Sequence, residues 1–189
     1  MFFRSERLFL RPAWPEDAAA IHAAIADEAG VRNLARVPWP YTEADARWFA
    51  SQPQDERLPR CLITLPGAAG SEVIGCVGLA QDGGEVELGY WIARRHWGQG
   101  YATEAARAML TLARGIGHQR IVARHFLDNP ASGRVLRHLG FRPMAERCAV
   151  FSAARGGMAL SARYEVMLEP MSGDCDDTPD GGMPTRRAA

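Results

Sequence analysis

The stretch Arg94–Ala105, RRHWGQGYATEA, decides the architecture of this chain. It follows a strand-like run at residues 86–92, and it opens a run whose apolar residues recur at helical spacing. Gly98 and Gly100 lack Cβ atoms, so the backbone can turn sharply there and a ligand can approach it closely. The free N–H groups of the first helical turn and the positive end of the helix dipole favour an anion. The stretch therefore predicts a phosphate-binding loop.

Two common nucleotide-binding motifs do not match this loop. A Walker A loop requires a lysine, and the chain contains none. A dinucleotide fingerprint has three glycines near the start of a doubly wound sheet, whereas here only Gly98-x-Gly100 is present, in the middle of the chain. The sequence therefore excludes the first class and disfavours the second.

Composition narrows the function classes further. The 189 residues include 22 basic and 22 acidic side chains, so the net charge of zero supplies no general attraction to nucleic acid or to anionic membranes. The four cysteines form no C-x-x-C pair, which argues against a disulfide framework and a zinc site. No signal peptide or membrane span is apparent. We expect a cytoplasmic protein without a metal, acting as a monomer or a homodimer.

The pattern of apolar residues and turn signals predicts one mixed α/β domain over residues 1–169. Strands are expected at 7–11, 60–65, 73–79, 86–92, 120–126, 141–148 and 163–168, and helices start near Pro15, Thr42, Tyr101 and Asn129. The element order is thus β-α-α-β-β-β-α-β-α-β-β. Residues 170–189 are rich in Ser, Gly, Asp and Pro, and we expect a disordered tail there.

This element order and the glycine loop resemble the GNAT superfamily of N-acetyltransferases, whose acetyl-coenzyme A loop has the pattern Gln/Arg-x-x-Gly-x-Gly/Ala. Five blocks look specifically like its RimJ/RimL branch of ribosomal-protein-alanine acetyltransferases: Arg7-Leu8-x-Leu10-Arg11, Glu87–Ile92, Trp97–Ala105, Asn129-x-x-Ser132 and Leu139–Phe141. The resemblance implies a mostly antiparallel mixed sheet, flanked by helices, with a V-shaped splay between two central parallel strands.

The resemblance also implies a binding site for acetyl-CoA. Main-chain N–H groups from Trp97 to Ala102 are expected to bind the pyrophosphate. Arg94 and Arg95 are expected to complement the charge of the pyrophosphate or the ribose phosphate, with two solvated loop arginines as the alternative. Asn129 is expected to hold the pantetheine arm, although Asn129-Pro130 is equally the start signal of a helix. The full expected set is Trp91, Ile92, Arg95, Trp97, Gly98, Gln99, Gly100, Tyr101, Ala102, Asn129 and Ser132.

Acetyl transfer from a thioester to an amine needs a base for the amine and a proton for the departing thiolate. The resemblance places an acid at Glu87, and strand alternation puts Glu87, Gly89 and Trp91 on one face; a solvated carboxylate is the competing interpretation. Many relatives outside this branch carry a tyrosine acid at the position of Leu136, which leaves Ser132 or water as the proton donor here.

The predicted function is acetyl-CoA-dependent transfer to a primary amine. The branch resemblance favours a protein N-terminal α-amine as the acceptor. A small-molecule acceptor, such as an antibiotic, a polyamine or an amino-acid derivative, is an alternative, and a non-catalytic acyl-CoA-binding module is a third interpretation. Trp39 and Tyr41 are expected to line the acceptor pocket with Glu87, although packing alone also explains the two aromatic residues.

Overall fold

The computed structural model describes residues 2–68 and 70–169, and the tail predicted at 170–189 lies outside the described residues. The helices are α1 (Ala18–Ile25), α2 (Glu28–Val31), α3 (Glu43–Ser51), α4 (Tyr101–Gly115) and α5 (Pro130–His138). The strands are β1 (Phe3–Arg4), β2 (Phe9–Arg11), β3 (Arg60–Gly67), β4 (Gly70–Asp82), β5 (Glu85–Ile92), β6 (Arg120–Phe126), β7 (Arg142–Ser152) and β8 (Gly157–Met167).

The strands described form one sheet in the order β1-β2-β3-β4-β5-β6-β8-β7. Neighbouring strands are antiparallel except β5 and β6, which run parallel. These two strands share one paired position, Glu87 with Val122, so their C-terminal halves are not paired with each other. Because α4 follows β5 and α5 follows β6, both helices begin beside this gap. The predicted mixed fold with a splay between central parallel strands is confirmed.

The two faces of the sheet are covered by different helices. On the face we call the α4 face, Leu88 and Ile92 of β5 pack into the core formed with α4 and α5. On the opposite face, the α1 face, Trp91 packs against the core formed with α1 and α3. Alternate residues of a strand point to opposite faces, so Glu87 and Gly89 lie on the α1 face with Trp91, as predicted.

The C-terminal strands are longer than the sequence pattern indicates. The predicted strands 141–148 and 163–168 extend toward each other as β7 and β8, which meet in a hairpin where Ser152 pairs with Gly157. Gly156 turns the chain with a φ of 61°. The residues between the predicted strands include alanine and arginine, which favour helix and conceal the hairpin. The short elements β1 and α2 were not predicted because two and four residues are too few to show a period.

Candidate active site

A cleft of about 940 Å³ lies where β5 and β6 diverge. This volume is within the usual range of cofactor and substrate pockets. Its walls come from β4, β5, β6, the loop before α4, the first turn of α5 and the segment 33–37 after α2. Residues of both faces of β5, including Glu87 and Ile92, line the cleft. The cleft therefore passes through the sheet at the splay and connects its two faces.

The loop before α4 has the geometry of an anion-binding turn. Gly98 and Gly100 have φ values of 76° and 81°, in the left-handed region that favours glycine. Gly100 is the N-cap of α4, whose first-turn N–H groups have no partner within the helix. Among the described residues, the N–H groups of Gly98, Gln99 and Gly100 donate to no main-chain carbonyl. The loop thus contains three consecutive main-chain N–H groups without a main-chain acceptor, and Gly98 and Gly100 line the cleft.

Trp97 stabilises this loop through hydrogen bonds to main-chain carbonyl groups. Its main-chain N–H donates to the carbonyl oxygen of Arg94 at 3.1 Å, and its indole Nε1 donates to that of Ile92 at 2.6 Å. The second bond ties the loop to the end of β5. The row of free donors therefore begins at Gly98 and not at Trp97, where the sequence placed its start.

The two arginines before the loop are engaged elsewhere. Arg95 Nη2 lies 2.7 Å from Glu72 Oε1, and Arg94 Nη1 lies 3.3 Å from Asp27 Oδ2. Arg94 lines the cleft, whereas Arg95 and Gln99 are not among the residues that do. The structure therefore does not bring the Arg95 side chain to the predicted phosphate site, because the carboxylate of Glu72 on β4 holds it.

A brace that the sequence did not reveal holds the loop from the N-terminal strand region. Arg7 Nη1 donates to the carbonyl oxygen of Gln99 at 3.0 Å, and Arg7 Nη2 lies 2.7 Å from Glu104 Oε2. Glu104 Oε1 accepts from the main-chain N–H of Arg7 and from Ser5 Oγ, each at 2.7 Å. Arg7 also lies over the Tyr101 ring, 4.6 Å from its centroid. These contacts join residues almost 100 positions apart, so no local pattern predicts them.

The start of α5 forms the wall opposite the loop. Asn129 is the N-cap, and its Oδ1 accepts from the main-chain N–H of Ser132 at 3.3 Å, as the helix-start pattern predicts. The Tyr90 hydroxyl lies 2.8 Å from Ser132 Oγ and so bridges the gap between β5 and α5. Asn129, Ser132 and Tyr90 all line the cleft.

Tyr90 is a site residue that the sequence analysis missed. Burial raises the pKa of Tyr90 to about 12, so the phenol stays protonated at neutral pH. Leu136, at the position of the usual tyrosine acid, is buried in the core and has no proton to give. The pair formed by Tyr90 and Ser132 is therefore a source of hydroxyl protons in this wall. The only signal for Tyr90 in the sequence is its place on the same strand as Glu87.

Glu87 lies in the cleft within a group of four charged residues. Its Oε1 accepts from Arg124 Nε at 2.6 Å, and Arg124 also pairs with Asp82 on β4. Its Oε2 lies 3.8 Å from Arg36 Nη2, beyond hydrogen-bond distance, and the Arg36 side chain is 62% exposed. Glu87 therefore keeps one carboxylate oxygen free to accept a proton.

Burial raises the pKa of Glu87 above its ordinary value. The charge of Arg124 opposes this rise, and the nearby carboxylate of Asp82 adds to it. A carboxylate with a raised pKa is a stronger base than an exposed glutamate, and such shifts are common among catalytic carboxylates.

The aromatic residues predicted for the acceptor pocket lie outside the cleft. Tyr41 is buried in the core below α1, where its ring stacks on His22 with centroids 6.4 Å apart. Trp39 is partly exposed but is not among the residues lining the cleft. The segment 33–37 lies at the cleft instead, together with Phe49 of α3. Trp91 and Ile92, both predicted site residues, do line the cleft.

Three further features concern the described part of the chain. Cys61, Cys76 and Cys148 are free thiols. Residues 2–68 and 70–169 contain no group of three or more His, Cys, Asp or Glu side chains placed to hold a metal ion. Over the same residues, no helix combines the length and the apolar character needed to cross a lipid bilayer.

Comparison with known proteins places this fold and cleft in a family. Residues 7–142 match the family model described as the acetyltransferase (GNAT) domain. An uncharacterized N-acetyltransferase of Bacillus subtilis, YoaA, is 31% identical over 147 residues, which cover 73% of this chain and 81% of the relative.

Two solved structures show the same fold at lower identity. RimL, a ribosomal L7/L12 alpha-N-protein acetyltransferase in complex with coenzyme A, matches with a TM-score of 0.72 and 19% identity, over 89% of this chain and 98% of RimL. The microcin C7 self-immunity acetyltransferase MccE, in complex with acetyl-CoA and AMP, matches with a TM-score of 0.70 and 18% identity, over 86% of this chain and 93% of MccE. With the family model and the relative from Bacillus subtilis, these matches show that the chain is an N-acetyltransferase that belongs to the GNAT family.

Proposed function

We propose that the protein transfers the acetyl group of acetyl-CoA directly to a primary amine in the cleft at the splay. One observation carries the proposal. A carboxylate with a raised pKa, Glu87, and a hydroxyl pair, Tyr90 with Ser132, line the same cleft, which also contains the loop of free N–H donors. Base, acid and anion site are the three groups that such a transfer requires.

The polar groups on the donor side of the cleft are suited to bind coenzyme A. In this proposal, the free N–H groups from Gly98 to Ala102 hold the pyrophosphate, and the positive φ values of Gly98 and Gly100 support a close approach to the backbone. Asn129 uses Oδ1 to cap α5, which leaves its Nδ2 to donate to a pantetheine carbonyl. Acetyl-CoA, when bound, supplies the acetyl group as a thioester.

Glu87 serves as the base in this proposal. An ammonium group must lose a proton before its nitrogen can form a bond to the acetyl carbonyl carbon, and Glu87 Oε2 accepts that proton directly or through water. Arg124 holds Oε1 at 2.6 Å and so orients the carboxylate. Replacement of Glu87 removes the base but leaves Arg124 paired with Asp82.

Ser132 serves as the acid. When the carbon–sulfur bond breaks, the sulfur receives the Ser132 hydroxyl proton, and the Tyr90 hydroxyl at 2.8 Å returns a proton to the serine oxygen. The second proton that the nitrogen loses as the amide forms passes to water, which reprotonates Tyr90. Tyr90 is protonated at neutral pH because burial raises its pKa to about 12. Water is the competing donor, and loss of the serine hydroxyl distinguishes the two.

We propose a protein N-terminal α-amine as the acceptor. The resemblance of five sequence blocks to the RimJ/RimL branch supports this choice, and RimL, which has a similar fold, is an alpha-N-protein acetyltransferase. A small-molecule acceptor is the second candidate, since MccE, with a similar fold, is described in complex with AMP. Fold similarity does not select between them, because relatives of one fold take different substrates.

An acceptor panel tests the proposal. Release of the CoA thiol from acetyl-CoA is followed with N-terminal peptides, polyamines, aminoglycosides and amino-acid derivatives, for the wild type and for Glu87→Gln. Turnover that depends on a peptide α-amine and falls in the variant supports the proposal, whereas preference for a small amine transfers it to the second candidate. Tight binding of acetyl-CoA without turnover on any acceptor would contradict catalysis and favour the binding module.

A further inference from the structure

We propose that the acceptor carries an anionic group, a carboxylate or a phosphate, that pairs with Arg60 on the α1 face of the cleft. This inference rests on the proposed function, since it concerns the second substrate of that reaction. It defines an anion subsite apart from the pyrophosphate loop. The loop lies before α4, whereas Arg60 begins β3, two strands away from Glu87.

Arg60 is a cleft residue whose charge has no partner within residues 2–68 and 70–169. It lines the cleft, and its Nε and Nη2 atoms are buried without a hydrogen-bond partner among the described residues. Over the same residues, no carboxylate lies within ion-pair distance of it. Its guanidinium carbon lies 4.6 Å from the centroid of the Phe49 ring of α3. That contact positions the guanidinium but satisfies none of its N–H groups.

Other arginines in the cleft differ from Arg60. Arg94 pairs with Asp27, Arg124 with Glu87, and Arg36 lies 3.5 Å from an oxygen of Asp82. A buried guanidinium is costly unless a charge or hydrogen bonds compensate for the water it has lost. Arg134 also lines the cleft without an ion pair among the described residues, but its side chain is exposed, so water solvates its charge. Because the described residues provide carboxylates for Arg36, Arg94 and Arg124 and none for Arg60, whose Nε and Nη2 atoms are buried, the missing partner is assigned to the ligand.

The floor between Arg60 and Glu87 is open at its Glu87 end, whereas a Cβ on Gly78 would lie 3.1 Å from the Arg60 Cα. Strand register places Gly78 beside Arg60 and Gly89 beside Gly78, so two glycines cross the α1 face in one row. A Cβ built on Gly89 would have no atom within 4 Å, and that position therefore faces free space. Glu87 lies two residues along β5 from Gly89.

This row fixes the separation between the two charged residues. Two strand spacings and two residues of rise place the Arg60 and Glu87 Cα atoms about 12 Å apart. The two side chains extend into part of this distance, which leaves room for an acceptor about one residue long between them. An amine at Glu87 and an anion at Arg60 thus fit one small zwitterionic acceptor or the first two residues of an acidic peptide.

The chemistry of Arg60 selects the class of anion. Guanidinium groups bind carboxylates and phosphates through parallel, charge-assisted hydrogen bonds, and Arg60 has at least two N–H-bearing nitrogens without a partner among the described residues. Loss of one such interaction costs about tenfold or more in affinity. A neutral acceptor gains nothing from this site.

Matched acceptors test the inference. Each pair differs only in the anion: the tripeptide amides Ala-Glu-Ala and Ala-Gln-Ala, and 4-aminobutyrate with 4-aminobutyramide. A fifth acceptor, 3-aminopropyl phosphate, tests phosphate. For the wild type we expect kcat/KM to be about tenfold or more higher for the anionic members, which corresponds to one charge-assisted interaction. In Arg60→Met this preference disappears through a higher KM, while kcat and the KM for acetyl-CoA stay unchanged.

Two variants control the experiment. Arg47→Met removes an exposed arginine of α3 that does not line the cleft, so it retains the preference. Arg60→Lys keeps the charge with fewer donors and retains part of the preference. A purely packing role for Arg60 would lower the melting temperature in Arg60→Met and leave the acceptor preference intact. That result, or equal use of charged and neutral acceptors by the wild type, would overturn the inference.

A binding measurement separates failure of this inference from failure of the proposed function. The melting temperature is measured with the donor site saturated by CoA. Glutarate and inorganic phosphate are each compared with chloride at equal ionic strength. We expect at least one of the two anions to stabilise the wild type and Arg47→Met but not Arg60→Met. If no acceptor is acetylated but this difference is found, the reaction assignment fails and the anion subsite stands. Equal responses of the wild type and Arg60→Met refute the subsite whether or not an acceptor is acetylated.

Discussion

The two ends of the cleft are built in different ways. The donor end consists of main-chain N–H groups from a few consecutive residues, Gly98 to Ala102, at the start of one helix. The end that we propose for the acceptor consists of side chains from separate strands and loops, among them Arg36, Arg60, Glu87 and Arg124. Backbone donors depend on local conformation, whereas the second group depends on the register of the sheet. We therefore expect substitutions at the donor end to affect acetyl-CoA and those at the acceptor end to affect the amine.

The largest effect is expected at the donor end. Valine at Gly98 or Gly100 must adopt φ values of 76° or 81°, and its side chain enters the phosphate site. We expect kcat/KM for acetyl-CoA to fall on the order of 10³-fold because KM rises, since several main-chain N–H donors are displaced together. Gly117→Val is the control, since Gly117 has a φ of 93° beyond the far end of α4. An equal loss of acetyl-CoA affinity in the control would show that strain alone causes the effect.

The next largest effect is expected for Glu87→Gln, at the acceptor end. Loss of a general base lowers kcat about 10²-fold, while the KM for acetyl-CoA stays within about twofold. Burial raises the pKa of Glu87, and the deprotonated form is the active one, so wild-type activity falls as the pH decreases through this raised pKa. The variant loses this acidic limb of the pH profile. Glu85→Gln, on the same strand but outside the cleft, should keep it.

Ser132→Ala tests the wall where the two ends meet. We expect kcat to fall about tenfold, with little change in either KM, because the proton donor is lost and water replaces it. The N-cap bond from the Ser132 N–H to Asn129 uses the main chain, so the helix start persists. Normal turnover in this variant would assign the proton to water.

The smallest effect is expected for Tyr90→Phe. The variant loses the hydroxyl bonded to Ser132 Oγ at 2.8 Å but keeps the packing of the ring, and we expect kcat to fall about threefold. In the double variant with Ser132→Ala, the Tyr90 change should add nothing further, because the two hydroxyls act as one unit. Additive losses in this cycle would show that Tyr90 acts independently of the serine.

Most of the fold could be predicted from the sequence because its elements carry local signals. The alternation along β5, the spacing of α4, the Thr42 cap and the Asn129 cap all correspond to structural elements. The hairpin between β7 and β8 was missed in part, since its turn residues favour helix and its register depends on pairing with β6. Local residue preference predicts that a strand or helix is present, whereas the positions at which a strand ends depend on the strands that pair with it.

The candidate site also combines residues that local sequence predicts with residues that only tertiary contacts position. The glycine loop, Glu87, Asn129 and Ser132 were named from the sequence, and the structure brings all of them to the cleft. Arg95, Trp39 and Tyr41 were also named, but none of them lines the cleft. Arg95 pairs with Glu72, Tyr41 is buried in the core with α1, and Trp39 is partly exposed outside the cleft. No sequence signal shows which carboxylate an arginine will meet, because such pairs join residues far apart in the chain.

The sequence by itself determined the donor end of this protein. A left-handed glycine turn that begins a helix is formed by consecutive residues. Its free N–H groups point in the same direction regardless of how the turn and the helix pack in the protein. The acceptor end was decided only by the tertiary structure. The single pairing of Glu87 with Val122 opens the cleft. Among the described residues, strand register leaves Arg60 without a partner, with its Cα atom about 12 Å from that of Glu87. Charges gain or lose their partners through packing between distant segments, which local sequence does not encode.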